Sequence, residues 1–230
     1  MSLIKRILIL CLLLAMQRIQ STVHNARQPQ HSLPVIMLDP AGDAEHPGRP
    51  LEQHFERGLT LQCVNYIQPA LEQHLPNARI IVTRTAGDKV APLHHANFAN
   101  RLDNVLLYLH CAFYKEQGSR PVLRLYRFSY QQHPPSRPAT TLFLRYDHAY
   151  EQNEKNSATS CNTLYQWLTQ YATTHNFFDI YPPCAFPHAA LCGITCPALV
   201  IEIGLPHDAM WQQSADLIVQ ALAMMFTERS

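Results

Sequence analysis

Three ionisable side chains stand where an α/β sheet would gather its chemistry. His110 closes the apolar run VLLYLH, Glu202 lies inside the aliphatic segment PALVIEIG, and Glu56 opens a helix soon after the first strand's loop. Ligand and reaction sites of such sheets form at the carboxyl ends of strands. Imidazole and carboxylate are the groups that most often exchange protons there. A carboxylate set in an apolar strand costs several kcal/mol unless a partner compensates it. The plainer alternatives are an exposed strand face or a salt bridge for Glu202, and a capping or core histidine for His110.

The elements that must hold these residues follow from hydrophobic periodicity. Apolar runs predict strands at 35–38, 79–84, 105–110 and 198–203, with further candidates at 122–128 and 141–146. Leu59, Cys63, Ile67 and Leu71 recur every four residues, which predicts a helix over 56–74 interrupted near Pro69. HHANFANRL reads as a short helix with His94 and His95 at the surface. EQNEKNSATS reads as an exposed turn before a helix at 158–173, and a last helix covers 209–226. Strands alternating with helices predict an α/β fold, a single twisted, mostly parallel sheet flanked by helices on both faces. Arg84 and Asp88 are expected to pair at a strand exit, and the polar, proline-rich stretch 129–156 to be an insert.

Composition narrows the function. The 230 residues are 47% hydrophobic, enough for one domain with a sizeable core, and the net charge is +1. That balance removes the long-range attraction that non-specific nucleic-acid binding needs. No glycine-rich nucleotide loop occurs. Lys5 and Arg6 precede a short apolar run from Ile7 to Met16, so residues 1–21 read as a signal peptide or membrane anchor, followed by a polar leader at 22–33. The chain is therefore expected to be secreted or periplasmic, or tethered by an uncleaved amino-terminal segment. Six cysteines follow that segment, and their pairing is not fixed by spacing. Cys63 and Cys111 fall in apolar elements and also fit buried free thiols.

Taken in order, LDPAGDAEHPG (38–48), FERGLTL with Glu56, TRTAGD (83–88), YLHCA (108–112) and CPALVIEIG (196–204) resemble the motifs of zinc-dependent N-acetylmuramoyl-L-alanine amidases. That family opens on Asp-Pro-Gly-His-Gly-Gly. The resemblance covers about 34–226, and the domain 34–228 would be amidase-like. It implies a hydrolase that cuts the amide between N-acetylmuramic acid and L-alanine of peptidoglycan. Glu56 and His110 would be ligands of one Zn²⁺, and Glu202 the carboxylate that accepts the water proton. Burial in its aliphatic strand would raise the pKa of Glu202 towards the working range.

One ligand position breaks the pattern. Counting from Asp39 and Pro40, the family's first histidine falls on Gly42, which has no side chain. A catalytic zinc needs three protein ligands and one open position. The candidates to complete the set are His46, the preferred one, then Asp43 and His54. A histidine placed at Gly42 is expected to strengthen metal binding if the loop keeps the family's path. Arg49 and Arg57 are candidates to meet carboxylates of a stem peptide. The insert 129–156 is a candidate cover for the groove or a surface for a regulatory protein. The competing function is a degenerate, non-catalytic relative that binds cell-wall glycopeptide or regulates a partner.

Overall fold

The computed structural model describes residues 33–91, 93–129 and 141–227, with the backbone alone described for 141–152. The segment 1–21, the leader from 22 to 32 and most of the loop 129–139 lie outside the described residues. Among the described residues no helix is long and apolar enough to cross a membrane.

The elements run β1 (Val35–Pro40), α1 (Glu56–His74), β2 (Arg79–Val82), α2 (His94–Ala99), β3 (Val105–Lys115) and β4 (Val122–Arg127), followed by α3 (Thr141–His175), β5 (Asp179–Ile180), β6 (Cys184–Ala185), β7 (Ala198–Leu205) and α4 (Trp211–Thr227). Their strands form one sheet in the order β2-β1-β3-β7-β4-β5, with β6 also beside β4. All neighbours are parallel except β4 and β7. The fold is the expected mostly parallel α/β sheet with helices against it. β1, β3 and β7 are buried on both faces, which is why their sequences are nearly continuous apolar runs. Ile36, Leu38, Leu109 and Ile201 pack into the larger core with α1, α3 and α4. Val35, Met37, Tyr108 and Val200 face a thinner layer covered by Ala96 and Ala99 of α2 and by Leu191 and Ile194.

Three expectations are corrected. Helix α1 runs unbroken through Pro69. Pro69 and Asn65 are both exposed, so the carbonyl that a proline leaves without a donor lies on the wet side of the helix. Residues 141–146, expected as a strand, begin helix α3. A short apolar run cannot be told from a helical turn by periodicity. The tract 151–160, expected as a turn, lies inside the same 35-residue helix. It holds many polar residues but no glycine or proline, so nothing in it stops a helix. The described part of the 129–156 insert from 141 onward is thus the first part of α3.

Candidate functional site

β1, β3 and β7 are parallel and bring Asp39, His110 and Glu202 to the same end of the sheet. Asp39 is in register with His110, and Ala112 with Glu202. Residues two apart on a strand share a face, so these three side chains lie on the thinner-layer side. β1 is also where the strand order reverses, with β2 on one side and β3 on the other. That is the crevice in which such sheets bind ligands.

Asp39 organises this crevice. It is 2% exposed. Its Oδ2 accepts from Tyr108 Oη at 2.5 Å and from His110 Nδ1 at 2.6 Å. Its Oδ1 accepts from Thr83 Oγ1 at 2.5 Å and lies 2.7 Å from Nδ1 of His95. Burial pushes its pKa up, but the charge and hydrogen bond of His110 and the contacts of His95 outweigh it and hold the carboxyl well below its usual range. An ionised carboxylate only accepts, so both imidazoles carry their proton on Nδ1 when they donate to it. Nε2 is the ring nitrogen left over on each. His95 is therefore not the surface residue expected from its sequence context.

Glu56 is placed by the ladder itself. β1 ends at Pro40 opposite Cys111, while β3 continues to Lys115. The amide of Phe113 then lacks a strand partner on that side, and Glu56 Oε1 accepts from it at 3.0 Å. Oε2 of Glu56 accepts from the amide of Arg49 at 2.9 Å. The Arg49 guanidinium reaches on to Glu202, with Nη1 donating to Oε1 at 2.6 Å. Tyr126 Oη donates to the other Glu202 oxygen at 3.1 Å. Arg49 thus joins Glu56 to Glu202 and lies over the Tyr114 ring at 5.8 Å. That ring rests on Gly204, where an added Cβ would stand 2.5 Å from Tyr114 Cζ, so the glycine two residues after Glu202 is what lets the aromatic lie on the sheet. Arg124 stacks on Tyr114 and Tyr181 at 5.6 and 5.0 Å.

The loop 41–48 is closed on itself around Gly42 and Asp43. Gly42 has φ +75°, and a Cβ there would meet Arg57 Cβ at 2.7 Å and the His46 carbonyl at 2.9 Å. A histidine at Gly42 has no room, which overturns the expectation that one would restore a ligand. Asp43 is used inside the loop, with Oδ1 accepting from the amides of Glu45 and His46 at 2.7 Å and Oδ2 from that of Val90 at 3.2 Å. His46 has a side chain 75% exposed, with Nδ1 beside Asp43 at 3.1 Å. His54 stands 2.9 Å from Asp208, at the other end of the loop. Arg57 donates to the carbonyls of Asp43 and Ala44 and so braces the loop. Arg84 does not pair with Asp88 in an ion pair. It donates to the carbonyls of Pro40, Ala41 and Arg57, while Asp88 accepts from Thr85.

Both oxygens of Glu56 accept main-chain amides, Gly42 offers nothing, and His46, Asp43 and His54 have other partners. Among the described residues no three His, Cys, Asp or Glu side chains converge as a metal site. The residues that the resemblance assigns do not fit a three-ligand zinc in this arrangement.

Sequence reasoning missed His188, whose ring centroid lies 5.6 Å from that of His110. Its Nδ1 accepts from the amide of Ala190. Burial and the neighbouring His110 hold its pKa below the ordinary value, with Glu202 opposing. No local pattern marks it, because it comes from the irregular segment after β6. The six described cysteines are all free, and burial pushes the Cys63 thiol up to about 12.

The fold is one shared with cell-wall amidases. The catalytic domain of CwlV, an N-acetylmuramoyl-L-alanine amidase from Bacillus (Paenibacillus) polymyxa var. colistinus, superposes with a TM-score of 0.60 at 14% identity, over 85% of this chain and 97% of that one. The N-acetylmuramoyl-L-alanine amidase AmiC2 of Nostoc punctiforme gives 0.60 at 12% identity, over 86% and 97%. An N-acetylmuramoyl-L-alanine amidase from Clostridium difficile 630 gives 0.59 at 14% identity, over the same shares. No protein-family model and no curated protein sequence matches the chain.

Proposed function

We propose that this chain binds the glycopeptide of bacterial cell wall on an amidase fold and does not hydrolyse it through a zinc held by Glu56 and His110. The observation that carries this is Arg49, which gives its amide to Glu56 and its guanidinium to Glu202. It neutralises the carboxylate that the resemblance assigns to proton transfer. The Arg49 side chain is 48% exposed. The Glu202 side chain is only 15% exposed, so the guanidinium stays with it and meets a ligand carboxylate through its outward donors. Beside it, Tyr114, Tyr181 and Arg124 form an aromatic and cationic shelf. Such a shelf suits a polymer of sugar rings carrying peptide carboxylates. The cationic start and apolar run of residues 1–21 support a secreted or periplasmic site of action.

Co-sedimentation with purified peptidoglycan sacculi tests this reading. Wild type is expected to sediment with them, and Arg49→Ala to bind about tenfold less, the loss of one charge-assisted contact. Failure of the wild type to bind sacculi would end it.

A second reading is a zinc-dependent amidase acting on the bond between N-acetylmuramic acid and L-alanine. It is favoured by the placement of His110 and Glu202 on one face of the adjacent strands β3 and β7. It requires ligands other than those the resemblance names.

A further inference from the structure

On the larger-core side of the sheet, away from the crevice, a cavity of about 480 Å³ opens between the end of α3 and helix α4. That volume falls within the roughly 300–1,000 Å³ of small-molecule sites. Its wall includes Tyr171, Phe177, Phe178 and Asp216, with His175 and Leu217. The end of α3 builds the aromatic part. Asn176 takes a positive φ of 46° and gives its amide to the Ala172 carbonyl at 2.7 Å, the left-handed cap on which helices commonly stop. Arg120 holds that turn by donating to Asn176 Oδ1 at 3.3 Å and to the Phe178 carbonyl at 3.1 Å. Phe177 and Phe178 then pack against the core with their rings at 76° and centroids 4.9 Å apart, which makes two nearly perpendicular walls. Asp216 comes from α4 and is fixed from α1. Tyr66 Oη donates to its Oδ1 at 2.7 Å, and Trp211 stands edge-on to the Tyr66 ring at 5.7 Å. A phenol brings no positive charge to that carboxylate. Among the described residues no lysine or arginine lines the cavity.

We propose that this cavity binds a small organic cation of the quaternary-ammonium class, with its methyl groups against Tyr171, Phe177 and Phe178 and its charge towards Asp216. Aromatic faces carry the negative end of the ring quadrupole and attract a cation, and cages of such rings are how quaternary ammonium groups are recognised. A primary ammonium is compact and strongly hydrated, so it loses more on entering an aromatic wall. An anion would meet the Asp216 carboxylate, and a neutral apolar ligand would leave that charge unused. The site stands whether or not the chain binds glycopeptide, because it shares no residue with the crevice.

The test is calorimetric titration of the full-length protein with choline and with its neutral isostere, the alcohol in which a tert-butyl group replaces trimethylammonium. The two probes have the same shape and differ in charge. Wild type is expected to bind choline at least about tenfold more tightly than the alcohol. Ethanolamine, the primary ammonium, is expected to bind more weakly than choline. Proton spectra of choline during the titration should show its methyl signal move upfield, the ring-current signature of an aromatic wall. These comparisons need no variant to fold. Phe177→Leu keeps apolar bulk and removes one ring, and is expected to weaken choline binding about three- to thirtyfold. Asp216→Asn keeps an oxygen for Tyr66 and removes the charge, so it should weaken choline and leave the alcohol within about twofold. No choline binding by the wild type, equal affinity for choline and the alcohol, or unchanged choline affinity in folded Asp216→Asn overturns the proposal.

Discussion

Asp39 carries more of the site than any residue singled out by sequence pattern, because two histidines, a tyrosine and a threonine meet its two oxygens. The cost of a carboxylate in an apolar strand drew attention to Glu202, and the same cost applies to Asp39 in VIMLDP. Its partners could not be read because they come from β3, α2 and the stretch after β2. What was legible at this scale is that Glu56 opens a helix and that His110 and Glu202 share one face of the sheet, although both stand inside β3 and β7 rather than at their ends. What was not is the pairing of Arg49, already a candidate for ligand carboxylates, with two carboxylates of its own chain 7 and 153 residues away. Gly42→His is the sharpest residue-scale prediction. With φ at +75° and Arg57 against the new Cβ, the substitution is expected to destabilise the fold by about 1–3 kcal/mol. Its zinc affinity should not rise. Urea denaturation and calorimetric titration with Zn²⁺ check both parts.

Two elements deserve experiments because they depart from, or lie beyond, what periodicity shows. The 35-residue helix α3 absorbs a tract expected to be a turn. Thr159 is exposed within that tract, so Thr159→Pro changes little except the helix. It is expected to cost about 3 kcal/mol in urea denaturation, where a turn would accept proline with little loss. The strands at 35–38, 105–110 and 198–203 were legible because a strand covered on both faces must be apolar throughout. Loop positions were not, since polar side chains there find partners far along the chain. Asp208 shows this, accepting from the amides of Glu52 and Gln53 and from His54. Burial pushes its pKa up, but those donors outweigh it and leave the pKa lowered. Asp208→Ala is therefore expected to cost about 1–3 kcal/mol near neutral pH. A lowered folded-state pKa gives stability that is complete above the unfolded value of about 3.9 and is lost as pH falls through the folded one. The gap between wild type and Asp208→Ala should accordingly shrink in acid below about pH 4. A gap that widened there would contradict the assignment.

At the scale of the whole molecule, the chain keeps the sheet order and helices of an amidase fold at 14% identity to one such structure. Around the ends of β1 and β2 the contacts centre on Asp39, with Arg49 joining Glu56 to Glu202 nearby. The sheet survives because its core needs only apolar residues at the right period, whereas a site needs particular atoms at particular places. Gly42 leaves the loop after β1 without a side chain at that position, and Arg49 pairs with Glu202. The most direct measurement is product analysis by mass spectrometry after purified full-length protein is incubated with sacculi, with and without added Zn²⁺. Bound protein and intact glycan–peptide links in both samples are the expected result. Release of stem peptides with a free L-alanine amine would contradict the account and establish the hydrolase.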